Sequence, residues 1–76
     1  MAGRELTGNQ SATLLAIAAY ISLHGYPPTR IELAVVLGVS PSAVEDRLAA
    51  LEAKGAIRRT PGLARAIQII TNDEGE

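Results

Sequence analysis

The sequence predicts a mainly α-helical domain that ends in a small β-hairpin. Two helix-start signals lie close together: Thr29 forms a capping-box pattern with Glu32, and Ser40 stands directly before a proline. Gly38 supplies a helix stop between them. Helices joined by so short a turn cross steeply, and residues 57–70, rich in arginine and free of acids, read as a two-stranded hairpin. Together these patterns predict a three-helix winged helix-turn-helix.

Composition indicates one small domain with an aliphatic core. In a chain of 76 residues, folding buries only about 60% of the unfolded surface. Because cysteine is absent, neither a disulfide nor a cysteine-based zinc site can reinforce the core. No apolar run approaches the roughly 18 residues of a membrane helix, and no signal peptide is evident. We therefore expect a cytoplasmic protein with no membrane partner.

The first predicted helix begins at Thr7, whose capping-box partner is Gln10, and ends at His24–Gly25. Apolar residues at helical spacing predict its buried stripe, which Leu15 would widen. The stripe consists of Leu14, Ile17, Ala18 and Ile21.

The second and third predicted helices cover residues 30–37 and 41–54, and Gly55 stops the third. The predicted strands cover residues 56–60 and 66–70. The expected buried faces of the two helices are Leu33, Ala34 and Leu37, and Val44, Leu48 and Leu51.

These elements divide the chain into one domain and two short ends. Residues 7–70 form the predicted domain, residues 1–6 a flexible arm, and residues 71–76 an acidic, disordered tail. Neither end is expected to add to the core.

The start of the third helix is the candidate site for reading DNA bases. An α-helix fits the major groove, and the first turns of the second helix of a helix-turn-helix reach the base edges. Here those residues are Ser40, Ser42, Ala43, Glu45, Asp46 and Arg47. A carboxylate can accept a hydrogen bond from a cytosine amino group. Equally, Glu45 and Asp46 could simply favour an exposed helix near its positive end, and the residues alone do not choose between the two.

Arginines mark the candidate contacts to the DNA backbone, although the net charge is −1. Arg30 starts the second helix, whose free amides suit a phosphate; it could equally be a solvated surface arginine. Arg58, Arg59 and Arg65 lie on the hairpin, and Arg58 and Arg59 point to opposite faces because side chains alternate along a strand. The small Gly62 at the tip would let the backbone approach a duplex. Three arginines on one hairpin favour DNA.

Short segments spread over nearly the whole chain resemble a known family. They are Leu6-Thr7 with Gln10, Gly25-Tyr26-Pro27-Pro28-Thr29-Arg30, Glu32-Leu33-Ala34, Leu37-Gly38, Ser42-Ala43-Val44, Leu48 with Ala50-Leu51-Glu52, Lys54-Gly55 with Ile57-Arg58-Arg59, and Arg65-Ala66-Ile67. In this order and spacing they resemble the DNA-binding domain of the SOS repressor LexA, over about residues 6–70.

The resemblance implies a role for particular residues. The third helix would enter the major groove, and the wing would touch the backbone and the adjacent minor groove. Base contacts would come from Ser40, Ser42, Ala43, Glu45 and Asp46, with Arg47 beside them. Backbone contacts would come from Arg30, Lys54, Gly62 and Arg65; Thr29, Arg58 and Arg59 complete the predicted set.

Three departures limit what the resemblance implies. LexA continues into a self-cleaving Ser-Lys peptidase domain that also dimerises, so we expect a stand-alone domain here and carry over neither property. The turn at residues 38–41 is one residue shorter than in some members, so the base contacts could shift by one position. Ile31, Val35 and Val36 occupy positions where the family usually has polar residues.

The sequence predicts a sequence-specific, double-stranded DNA-binding transcriptional regulator, acting as a small repressor. One such module buries only about 600–1,000 Å², so pairing as a homodimer on a two-fold operator is expected to help. The alternatives are a protein-interaction module that uses Ile31, Val35 and Val36 to bind a protein partner, or a fragment of a larger LexA-type repressor. With one histidine, one lysine and no cysteine, the chain offers no catalytic or metal-binding constellation. We expect neither an enzyme nor a cofactor.

Overall fold

The computed structural model describes residues 5–63 and 65–70, which form three helices and one hairpin. In chain order the elements are α1 (Gly8–His24), α2 (Arg30–Leu37), α3 (Pro41–Ala53), β1 (Ile57–Arg59) and β2 (Ile67–Ile69). This architecture confirms the predicted winged helix-turn-helix. Residues 1–4 of the predicted arm, residue 64 and the predicted tail, 71–76, lie outside the described residues. None of the described helices is both long and apolar enough to cross a lipid bilayer.

All three helices begin where the sequence predicts, at a side chain that caps the first turn. Thr7 and Thr29 each accept a hydrogen bond from the amide three residues on, at 3.2 and 3.1 Å. Their own amides donate in return to the side chains of Gln10 and Glu32, at 3.0 and 2.9 Å. Ser40 Oγ accepts from the amide three residues on at 3.1 Å. The caps satisfy amides that a helix start otherwise leaves unpaired.

The turn between α2 and α3 is built on Gly38. Its φ of 71° lies in the left-handed region, where a side chain would be strained. The amides of Gly38 and Val39 both donate to the carbonyl of Ala34, at 2.9 and 3.1 Å. This arrangement ends α2 and redirects the chain within two residues to the cap of α3.

The core lies where the three helices meet the inner face of the hairpin. The predicted Leu33, Ala34, Val44, Leu48 and Leu51 are all buried, and Leu37 is partly buried against them. Ile17 of α1, Ile57 of β1 and Ile67 of β2 complete the cluster, together with Ala56. Leu6, which the sequence assigns to the arm, also packs against it.

In α1 most of the predicted stripe is confirmed, since Leu14 and Ile21 pack against the core beside Ile17, but two of its predicted members face solvent. Ile17 is fully buried, but Ala18 is exposed and Leu15 is 69% exposed. Leu15 precedes Ile17 by two residues, which at 3.6 residues per turn places it on nearly the opposite side of the helix. Thr13, one turn before Ile17, occupies the core instead, and its hydroxyl donates to the carbonyl of Asn9 at 2.8 Å. Because the Thr13 hydroxyl forms this hydrogen bond within the helix, the residue can be buried without leaving a polar group unpaired.

The hairpin is antiparallel, with Ile57 opposite Ile69, Arg58 opposite Gln68 and Arg59 opposite Ile67. The strands are one residue shorter at each end than predicted, although the amide of residue 70 still donates to the carbonyl of residue 56 at 2.9 Å. Ile57 and Ile67 face the core. Because side chains alternate along β1, Arg59 lies on the inner face and Arg58 on the outer face.

Candidate nucleic-acid interface

The first two turns of α3 are accessible to a partner on one side and packed into the core on the other. Val44 and Leu48 are buried, which fixes the rotation of the helix. Of the six residues predicted to read bases, three are exposed and three are partly buried. Ser40, Ser42 and Asp46 are exposed; Ala43, Glu45 and Arg47 are partly buried. The structure therefore brings the six together at one end of α3.

A cleft of about 690 Å³ separates this helix from the wing and the start of α2. Its wall includes four ionisable side chains from three different elements: Arg30 of α2, Glu45 and Glu52 of α3, and Arg59 of β1. Gly62 and Leu63 line it from the tip of the wing. Of the residues predicted to read bases, Glu45 lines this cleft; of those predicted to touch the backbone, Thr29, Arg30, Arg59 and Gly62 line it. The other predicted residues lie outside its lining.

Arg59 joins the wing to α3 through two carboxylates. Its Nη1 and Nη2 each donate to one oxygen of Glu45, both at 3.1 Å, and its Nε donates to Glu52 at 3.2 Å. Such a fork-to-fork pair is stronger and better oriented than a single contact. It lowers the pKa of Glu45, against an opposing effect of burial, and the charge of Arg30 lowers that pKa further. Glu45 and Glu52 correspondingly raise the pKa of Arg59.

Arg65, which lies just before β2, binds the start of α2. Its Nη1 and Nη2 donate to the two carboxylate oxygens of Glu32, at 2.8 and 2.7 Å, and Nη1 also donates to the carbonyl of Pro27 at 3.0 Å. The guanidinium carbon lies 4.6 Å from the centre of the Tyr26 ring, a cation–π distance. Since Glu32 also closes the capping box with Thr29, one carboxylate serves both the helix start and the wing.

Lys54 binds the segment before α1. Its Nζ donates to the carbonyl of Glu5 at 2.8 Å and to the side chain of Gln10 at 2.7 Å. Those two acceptors hold the ammonium against the N-terminal end of α1. The sequence predicts Lys54 to lie near the DNA backbone, and it stays a prediction that the amine also reaches a phosphate.

The predicted arginines therefore fall into two groups. Arg59 and Arg65 form salt bridges with carboxylates. Within residues 5–63 and 65–70, Arg30, Arg47 and Arg58 form none. Arg30 lies on the wall of the cleft, whereas Arg58 lies on the outer face of the hairpin. Thr29, another predicted backbone contact, uses its hydroxyl as an N-cap.

Sequence reasoning found these arginines but not their partners. Glu32, Glu52, Tyr26 and Pro27 were not predicted to belong to the site. Glu32 precedes Arg65 by 33 residues, and no local spacing pairs them. The spacing of Glu45 and Glu52, two turns apart on α3, would place both on one face, but only the docked hairpin shows what they bind.

Glu32→Gln is expected to lower the melting temperature at neutral pH and to lose that effect in acid. The Arg65 guanidinium and the Thr29 amide lower the pKa of Glu32 from 4.5 to about 2. A carboxyl whose pKa is lower in the folded state contributes its full stability above its unfolded pKa and loses it as the pH falls toward the folded value. Glutamine keeps the capping-box oxygen, so the comparison isolates the ion pair.

The measurement is thermal unfolding of both proteins from pH 7 to pH 2. The wild-type advantage should shrink between pH 4.5 and about 2. Glu5→Gln is the control, since Glu5 forms no salt bridge within the described residues. A difference that persisted unchanged at pH 2 would show that Glu32 acts without its charge.

Two further features bear on a protein-binding role and on a metal-binding role. Ile31, Val35 and Val36 are all more than half exposed; Ile31 lines the cleft, whereas Val35 and Val36 lie outside its lining. No group of three His, Cys, Asp or Glu side chains that could hold a metal ion occurs in the part of the chain that the structure describes.

Comparison with known proteins matches this chain to one family. A family model described as the LexA DNA binding domain matches residues 3–66. The LexA repressor of Pseudomonas aeruginosa is 48% identical over 67 residues, 87% of this chain and 33% of the repressor. Those of Marinobacter nauticus and Tolumonas auensis are 45% and 42% identical, over 92% and 96% of this chain and 35% and 36% of their own length. The chain thus spans about one third of the curated relatives it matches.

Proposed function

The chain belongs to the LexA DNA-binding domain family, and from this premise we propose that it binds double-stranded DNA in a sequence-specific manner and represses transcription by occluding a promoter. The proposal is for a binding domain and not for an enzyme. It places the protein in the cytoplasm, where bacterial chromosomal DNA lies. Self-cleavage, which belongs to a different part of LexA, is not proposed for this chain.

The observation that carries the proposal is the concave surface that α3, from Glu45 onward, forms with the start of α2 and the wing, next to the exposed first turn of α3. An α-helix that has one buried face and short side chains at its N-terminal end can enter a major groove deeply. Ser42 and Ala43 are small, and Ser40 and Asp46 are exposed beside them. We propose that this end of α3 reads base edges and that the tip of the wing at Gly62 approaches the backbone.

The charges of the described surface support specific contacts more than bulk attraction. Two of its arginines are already compensated by carboxylates, so few cations are available to displace counterions. Arg30, exposed at the start of α2, combines a positive charge with the amides of a helix N-terminus, an arrangement that suits a phosphate. Non-specific binding should therefore be weak.

A single domain of this size buries a small area on DNA, so we propose that two copies bind a two-fold operator. The experiment is selection from a library of random duplexes at low salt, followed by a sizing measurement of the complex. Enrichment of an inverted-repeat motif and a complex of two chains per duplex are the expected results. The absence of any enriched motif would contradict the proposed function.

The same experiment addresses the alternative, a winged-helix module that binds another protein. The observation that favours it is the exposed apolar face of Ile31, Val35 and Val36. Replacing Val35, which is 78% exposed, with serine should leave motif selection unchanged if this side of α2 faces away from DNA. Loss of selection in this variant would place the apolar face in the functional surface.

A further inference from the structure

We propose that Arg59 is a positioning residue for base readout: it holds the Glu45 carboxylate so that Glu45 accepts a hydrogen bond from a base amino group, and it does not itself contact a phosphate. This inference rests on the proposed DNA binding. Its basis is the pair between Arg59 on the inner face of the wing and Glu45 in the second turn of α3.

The geometry leaves the carboxylate available. Arg59 uses one hydrogen bond to each Glu45 oxygen, whereas an ionised carboxylate offers about four lone-pair sites. The side chain of Arg59 is 24% exposed and that of Glu45 is 44% exposed. The Arg59 side chain is therefore the less exposed of the two, and the Glu45 side chain remains open to solvent.

The charges explain why such a pair is useful beside DNA. A carboxylate alone would be repelled by phosphates, and its flexible side chain would have no fixed direction. The bidentate guanidinium compensates one negative charge and fixes the plane of the group. Glu52 accepts from the remaining Nε of Arg59 at 3.2 Å, which fixes the guanidinium in turn. Glu45 can then distinguish an amino group from a carbonyl in the major groove, the discrimination that a carboxylate makes by accepting from cytosine.

The arrangement also indicates what Arg59 does not do. Three of its five N–H donors are directed at two carboxylates of its own chain, so its positive charge is already compensated on the inner face of the wing. If a wing arginine contacted the DNA backbone, as the sequence predicts, its removal would lower the affinity for all duplexes equally. Removal of a positioning residue should instead change the preference at one base pair.

The test starts from the motif that the wild-type protein selects. Affinities are then measured for the four base pairs at each motif position, with the wild type, Arg59→Met, Glu45→Ala and the double variant. We expect the wild type to prefer one base pair by about tenfold at the Glu45 position, the order expected for a good base contact. Arg59→Met should reduce that preference to within about threefold, and the double variant should lose no more than either single variant.

The matched control is Arg58→Met, which removes the same charge from the next residue on the strand but from the outer face. As a predicted backbone contact, Arg58 can contribute to overall affinity, but its removal should leave the base-pair preference at the Glu45 position unchanged. Arg59→Lys, which keeps the charge but not the fork, should retain the circular dichroism spectrum and still lose most of the preference. This variant keeps the test valid if Arg59→Met does not fold.

Several results would overturn the inference. An unchanged motif in both Arg59 variants would do so, as would a uniform loss of affinity with a salt slope lower by about one, the signature of a phosphate contact. Full preference in Arg59→Lys would show that charge alone is sufficient. A wild-type protein that selects no motif would contradict the proposed function itself, an outcome distinct from a motif that does not depend on Arg59.

Discussion

Leu51→Ala is expected to remove about 2–5 kcal/mol from the free energy of unfolding, the usual cost of truncating a fully buried leucine. Leu51 is 0% exposed, at the centre of the cluster that joins α3 to the rest of the domain. A chain of 76 residues has a total stability of roughly 4–11 kcal/mol. The variant should therefore lose a large share of its stability, seen as a lower urea midpoint by circular dichroism.

The matched control is Leu15→Ala, which deletes the same atoms from a side chain that is 69% exposed. Its stability should stay within about 0.5 kcal/mol of the wild type. A loss at Leu15 comparable to that at Leu51 would mean that Leu15 widens the buried stripe of α1, as the sequence predicts, and that its exposed position described above is wrong.

Arg30→Ala is expected to weaken binding to all duplexes and to lower the slope of log affinity against log salt by about 0.9, the contribution of one neutralised phosphate. At low salt the loss should be roughly tenfold, because one fewer counterion is released. The reason is that Arg30 is exposed on the wall of the cleft and forms no salt bridge within the described residues. Fluorescence anisotropy with labelled duplexes, between 50 and about 200 mM salt, measures both quantities.

Two other arginines serve as comparisons. Arg58→Ala removes an exposed charge from the outer face of the hairpin and should change the slope by less than half as much. Arg65→Ala should also leave the slope nearly unchanged, because Glu32 already compensates that charge. Equal slopes for wild type and Arg30→Ala would contradict a phosphate contact at the start of α2. A decrease seen only in Arg65→Ala would indicate that the phosphate contact lies on the wing.

The local features of this fold could be predicted from sequence because each depends on residues a few positions apart. The caps at Thr7, Thr29 and Ser40, and the stop at Gly38, all reflect hydrogen bonds within one turn. The buried faces of α2 and α3 followed from helical spacing. The face of α1 followed only in part, because the unbroken aliphatic run of residues 14–19 leaves the limits of the buried face undetermined and the buried Thr13 is polar.

For the candidate site, the sequence predicts a set of residues but not their arrangement. The sequence places Glu45 at the start of α3, the helix predicted to contact bases, and it places arginines on the wing. It could not assign Arg59 to Glu45 or Arg65 to Glu32, because those pairs depend on how the hairpin docks against α3 and α2. The distinction matters for function, since a paired arginine orients another group whereas an unpaired one is available to a phosphate.

The central claim is that the first turns of α3 lie against a duplex, with the wing beside them. The most direct measurement is a titration of labelled protein with the selected duplex at low salt, followed by amide chemical shifts. We predict the largest shifts at residues 40–47, at Arg30 and at the wing tip near Gly62, with little change at Val35. Shifts centred on the outer face of α2, or none at low salt, would contradict the account.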